Sequence, residues 1–118
     1  MAKVLIVDDS KLIRNIIKGE LEKNGHQIVG EAQDGRMAIS MYKEQTPDLV
    51  TMDITMDEMD GIEAITEIFK LNTKAKIIVV SALGQDEIIN KAIDMGVMDF
   101  IIKPFEADRL LSSVKKAL

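Results

Sequence analysis

Five times along this chain a short apolar run gives way to a stretch whose apolar residues recur at helical spacing. Val4-Leu5-Ile6-Val7 opens the series as a buried strand. Leu12, Ile13, Ile16, Ile17 and Leu21 then mark one face of a helix that Ser10 can cap and Asn24-Gly25 can stop. Residues 27–32 are more polar and suit a sheet edge. Asp34 can cap a second helix with Ala38, Met41 and Tyr42 inward, ending before Pro47. Residues 49–53 read as a central strand, and an acidic loop follows over 54–60. Gly61 opens a third helix, with Ile62, Ile65, Ile68 and Phe69 on one side. Residues 77–80 are again central, and Ile88, Ile89, Ala92 and Ile93 mark a helix that Gly96 terminates. Phe100-Ile101-Ile102 is the last strand, and Leu110, Leu111 and Val114 belong to a final helix. Strict β–α succession with right-handed crossovers predicts an α/β, doubly wound, five-stranded parallel sheet with five helices on its two faces.

Composition narrows the function classes. A length of 118 residues is that of a single domain, expected over 1–118. Cysteine is absent, which removes disulfides, thiolate metal sites and cysteine nucleophiles together. Net charge is −5 and the lysines look scattered, so a nucleic-acid role has no basic patch to rest on. Aromatic residues are only 3%, too few for base-stacking platforms. No apolar stretch approaches the ~18 residues of a membrane span, and a cytosolic location is expected.

In doubly wound sheets, ligands sit beyond the carboxyl ends of the strands. Five polar residues fall at those ends: Asp8, Asp9, Asp53, Ser81 and Lys103. Each has an ordinary explanation alone. Asp8 and Asp9 can introduce a helix, Asp53 can be a turn residue, Ser81 can satisfy a loop amide, and Lys103 can be a surface lysine. Together they form an acidic triad with one hydroxyl and one ammonium, which turn chemistry does not account for. Three carboxylates in one crevice repel unless a proton or a metal intervenes. A Mg²⁺ ion on two carboxylates, a backbone carbonyl and waters answers that repulsion and leaves room for phosphoryl oxygens. Asp53 is then the nucleophile, with Lys103 and the Ser81 hydroxyl meeting the new oxygens. His26, the sole histidine, falls on the far side of the sheet and reads as a satisfied or exposed turn residue. The eight methionines read as core filler, with Met56 and Met59 the best placed for a share in docking.

Ile6-Val7-Asp8-Asp9-Ser10, Met52-Asp53-Ile54-Thr55-Met56, Met59-Asp60-Gly61, Ser81-Ala82 and Lys103-Pro104-Phe105 resemble the receiver domains of two-component response regulators, and the similarity covers the whole chain. That resemblance implies a flavodoxin-like sheet order 2-1-3-4-5. It implies Asp53 as phosphoacceptor from a histidine kinase, and Mg²⁺ held by Asp9, Asp53 and the Thr55 carbonyl, with Asp8 acting through water. It further implies Lys103 and Ser81 on the phosphoryl group, a cis Lys103–Pro104 bond, and Phe100 as the switch aromatic. Asp57 departs from the proline usual in the family, and Phe100 lacks the hydroxyl many members carry. Thr55 and Leu83 flank the attack path in the family.

Among such receivers the chain is most similar to stand-alone chemotaxis regulators. It is expected as a monomer whose signal leaves through residues 85–118 to a flagellar motor switch or another output protein, with a phosphatase as a possible further partner. Two alternatives remain open at this level. One is a phosphorelay shuttle or single-domain regulator of another pathway. The other is an aspartate-nucleophile phosphatase, disfavoured because Thr55 occupies the general-acid position. A flavin site fails because Asp8-Asp9-Ser10 would repel a phosphate.

Overall fold

Branched apolar side chains dominate the runs that become strands, and continuous burial on both sheet faces is why those runs do not alternate. The computed structural model describes residues 2–55, 61–82 and 84–118. In order, the elements are β1 (Lys3–Val7), α1 (Lys11–Lys23), β2 (Gln27–Ala32), α2 (Gly35–Gln45), β3 (Leu49–Met52), α3 (Gly61–Leu71), β4 (Ile77–Ser81), α4 (Asp86–Met95), β5 (Asp99–Ile102) and α5 (Ala107–Ala117). All pairings are parallel and the order is β2-β1-β3-β4-β5.

The period-two alternation of each strand divides the core. Leu5, Val7, Val50, Met52, Val79 and Phe100 face the layer that contains α2, α3 and α4. Val4, Ile6, Leu49, Ile78, Val80 and Ile101 face α1 and α5. Local signals set the helix ends as expected. Ser10 Oγ accepts from the Ile13 amide at 3.3 Å and Asp34 Oδ1 from the Met37 amide at 2.9 Å. Gly96, at φ 106°, provides the left-handed C-cap of α4. His26 stands immediately before β2, at the opposite sheet edge from the strand carboxyl ends. Its Nδ1 accepts the Ala2 amide at 3.2 Å, and burial lowers its pKa.

Helical periodicity overstated the contact faces. On α1 only Ile17 and Leu21 are fully buried, whereas Leu12 is 69% and Ile16 44% exposed. A helix in an outer layer touches one sheet face, so the row 13–17–21 turns inward and the row 12–16, about 100° away, does not. The same holds on α4, where Ala92 is buried and Ile93 is exposed. Met52 is core, Met37, Met41 and Met95 flank it, and Met98 is exposed. Met1, Met56 and Met59 lie outside the described residues. No helix among the described residues is long and apolar enough to cross a membrane.

Two polar features of the core generate predictions. Thr51 on β3 is 1% exposed, and its hydroxyl has no hydrogen-bond partner among the described residues. Replacing it with the isosteric valine removes an unsatisfied polar atom. Thr51→Val is expected to raise unfolding stability by about 1 kcal/mol in urea titration. Asp99, at the start of β5, accepts a bidentate pair from Arg109 at 2.8 and 3.1 Å and a bond from Ser113 Oγ at 2.8 Å. Those donors from α5, Arg109 foremost, hold the Asp99 carboxyl down to about 2 against the opposing effect of burial. Because Asp99 titrates lower when folded, its stabilisation is whole above about pH 4 and disappears as pH falls through 2. Asp99→Asn should therefore be less stable than the parent at neutral pH, with the gap closing at the acid end of a urea–pH series.

Candidate functional site

β1 and β3 are neighbours in register, with Val7 opposite Met52, so the next residue of each strand reaches the same rim. Backbone bonds continue the ladder there. The Asp53 amide donates to the Val7 carbonyl at 2.9 Å and the Asp8 amide to the Ala32 carbonyl at 3.0 Å. Asp8 and Asp53 are thereby fixed side by side at 1% and 2% exposure, and Asp9 stands exposed above them. One carboxylate oxygen from each of the three lies within 4.8 Å of the others.

Each buried carboxylate divides its oxygens between a local turn and a distant cation. Asp8 Oδ1 accepts from the Ser10 amide at 2.9 Å. Asp53 Oδ1 accepts from the Thr55 amide at 3.0 Å and the Thr55 hydroxyl at 2.9 Å. The remaining oxygens face Lys103, whose Nζ is 2.7 Å from Asp8 Oδ2 and 3.4 Å from Asp53 Oδ2. Lys103 follows the edge strand β5, and its amide donates to the Ser81 carbonyl at 2.8 Å. The Lys103–Pro104 bond is cis, as the family resemblance implied. Burial works against the Lys103 charge, but the hydrogen bond to Asp8 and the charges of Asp53 and Asp8 outweigh it and raise its pKa.

The site thus brings together four of the five residues expected at the strand ends, and the fifth, Ser81, is fully buried at the end of β4 beside them in the sheet. Phe100, one strand over, lies opposite Val79 and is 8% exposed within the core. Asp57 and Leu83 lie outside the described residues. Three carboxylates against one ammonium leave a local charge near −2, and oxygen-only donors are what a hard divalent cation takes. The donor set therefore fits Mg²⁺, and a carboxylate oxygen of the cluster can attack an electrophilic phosphorus.

Three supporting contacts escaped the sequence reading. Arg14 on α1 donates from Nη1 to the Asp8 carbonyl at 2.7 Å and pairs through Nε with Glu31 of β2 at 3.1 Å, pinning the loop that carries Asp8 and Asp9. The Thr55 hydroxyl orients Asp53, whereas the family resemblance implied for Thr55 a metal-binding carbonyl and a place flanking the attack path. Gly61 is packed against the residues after β3. A Cβ there would stand 2.5 Å from Ile54 Cα and collide with the Asp53 carbonyl, so only glycine lets α3 begin this close to the site. Its position directly after the acidic loop was the available signal. Arg14 had none, because an arginine on a helix surface is ordinary.

Comparisons with known proteins converge on this arrangement. The model of the response regulator receiver domain matches residues 4–115. The chemotaxis protein CheY of Bacillus subtilis (strain 168) is 52% identical over 116 residues, covering 98% of this chain and 97% of that protein. CheY of Thermotoga maritima is 50% identical, over 97% of this chain and 95% of its own length. Among solved structures, a CheX–CheY–BeF3–Mg²⁺ complex from Borrelia burgdorferi contains a chain that superposes with a TM-score of 0.94 at 34% identity, over 97% of this chain and 87% of that one. With sheet order, rim carboxylates and sequence in agreement, the chain belongs to the response regulator receiver family.

Proposed function

We propose that the protein is a stand-alone chemotaxis response regulator that accepts a phosphoryl group on Asp53 from a histidine kinase and signals by altered protein binding. The observation that carries the assignment of the acceptor is the placement of Asp53. It is a buried member of the acidic cluster, with Oδ1 held by Thr55 and Oδ2 facing the Lys103 ammonium, and it lies within reach of Asp8 and Asp9. Chemotaxis proteins at about half identity over nearly the whole chain support the pathway. The Borrelia burgdorferi relative, solved with CheX, BeF3 and Mg²⁺, supports both the ion and a protein partner.

In the proposed step an Asp53 oxygen forms a bond to phosphorus as the bond from phosphorus to the phosphohistidine nitrogen breaks. The imidazole leaves with that electron pair, and the product is an acyl phosphate. Asp9, Asp53 and the Thr55 carbonyl, with Asp8 beside them, would hold Mg²⁺, which would supply positive charge to the phosphoryl oxygens. The protein's own residues do the rest. Thr55 fixes the carboxylate, Arg14 holds the loop bearing Asp8 and Asp9, and Lys103 and the Ser81 hydroxyl meet the oxygens of the transferred group. Hydrolysis of the acyl phosphate at the same site would reset the protein. The readout is a population shift in which Ser81, the loop beyond it and Phe100 favour one of two arrangements, read over residues 85–118 by a flagellar motor switch or other output protein. A monomer in the cytosol is the form proposed to act.

Treatment with acetyl phosphate and Mg²⁺ followed by intact-mass measurement tests the acceptor. The parent should gain one phosphoryl group, Asp53→Asn none, and Asp9→Ala a small fraction of the parent's yield. Stoichiometric label on Asp53→Asn would overturn the assignment. Sustained hydrolysis of small phosphoesters would instead make the protein a phosphatase. Lys103 poses a separate question, because its ammonium holds the oxygens a cation would seek. Lys103→Met is expected to bind Mg²⁺ on the order of tenfold more tightly by calorimetry while losing most acetyl phosphate labelling. Unchanged affinity would mean that lysine and metal do not compete.

A further inference from the structure

At the sheet edge opposite the carboxylate cluster, α3 and α4 part. α3 packs on α2, while α4 leans on β5, which opens a groove between their C-terminal ends. Two adjoining cavities of ≈ 460 and ≈ 400 Å³ share Phe69, Thr73 and Met95 as walls. The floor is apolar and soft: Phe69 and Met95 are half-buried, and Met98 is 47% exposed at the mouth. The rim is basic. In a chain of net charge −5, no acid occurs between Glu67 and Asp86, while Lys70, Lys74 and Lys76 fall in that stretch. Lys70 pairs with Glu67 at 3.2 Å, but Lys74 and Lys76 form no ion pair with any described residue. No acidic residue lines either cavity; of the acids adjacent in sequence to lining residues, Glu67 pairs with Lys70, Asp99 pairs with Arg109, and Asp94 is exposed on α4.

We propose that this groove docks an acidic amphipathic segment of another protein, with apolar side chains against Phe69, Met95 and Met98 and carboxylates against Lys74 and Lys76. Helix-in-groove recognition needs an apolar trough with polar flanks, and methionines adapt to the inserted side chains. Charge complementarity selects the partner's sign. A second copy of this chain is disfavoured because a self-complementary interface here would set lysine against lysine. A membrane surface is disfavoured because the apolar residues line a trough rather than project from a face. The groove stands at the far edge of the sheet from Asp53, so this docking does not depend on the phosphoacceptor assignment.

The test uses a fluorescein-labelled amphipathic helical peptide with leucine and phenylalanine along one face and glutamate along both flanks, beside a twin with lysine for glutamate. The full chain should bind the acidic peptide in anisotropy titrations, more weakly as salt rises, with amide shifts in nitrogen–proton spectra confined to residues 66–76 and 93–98. Lys74→Glu with Lys76→Glu, and separately Met98→Glu, should each weaken binding about tenfold, and all three positions are exposed or half-exposed so that the fold survives, as circular dichroism would verify. Equal binding of the lysine twin, indifference to these variants, or shifts at other surfaces would overturn the proposal. So would attachment of the chain to anionic phospholipid vesicles through these residues, or self-association that Met98→Glu abolishes.

Discussion

One lysine ammonium holds together a site that charge alone would drive apart. Asp8 and Asp53 are almost wholly buried, neighbours across two strands, and joined by the exposed Asp9. Lys103 meets both buried carboxylates, yet it comes from the other side of the sheet, ninety-five residues after Asp8. Buried ion pairs of this kind are weak devices for stability, because desolvation cancels most of the Coulombic gain. An apolar set of equal volume would serve the fold as well or better. Retaining three acids and one base here is understandable if the cluster is to receive further charge, first a cation and then a phosphoryl group.

The sheet provides the precision. Register between β1 and β3 brings two strand ends to one level, and the backbone ladder continues one residue past each strand to fix Asp8 and Asp53. Local turns then orient the side chains, through the Ser10 amide on one and through Thr55 on the other. α1 adds Arg14 from behind, and α3 approaches so closely that Gly61 has no room for a Cβ. The charged residues are thus held by rigid elements and short turns, which suits chemistry that depends on placing oxygen atoms within tenths of an ångström.

Element order, caps and the rim residues were readable because each leaves a local trace: apolar runs, Ser10 and Asp34 before helices, acids at strand ends. The sheet order came from family resemblance, since succession of units alone does not choose among doubly wound topologies. What sequence could not convey was contact. Leu12 and Ile16 share the periodicity of α1 but not its buried face, because a 3.6-residue period does not say how wide the touching strip is. Arg14 and Glu31 look like surface charges until the fold sets them behind Asp8. The lysines of α3 and the turn after it seemed scattered along the chain, and only the gap beside α4 gathers Lys74 and Lys76 at one rim.

Phe100 constrains how a signal can leave the site. It lies in the core with Val79, next to the strand that ends in Ser81, and buries a ring with no polar group. A tyrosine there would have to strip its hydroxyl of water to turn inward, and that cost would keep outward and inward states near balance. Phenylalanine incurs none, so apolar burial biases the ring inward and narrows its difference between the two arrangements. Under the proposed mechanism the burden of discrimination then shifts from the aromatic to Ser81 and the segment leading into α4. That helix is suited to carry it. Only Ala92 among its residues is fully buried, so few packed contacts oppose its displacement, and a modest bias at the loop can move it.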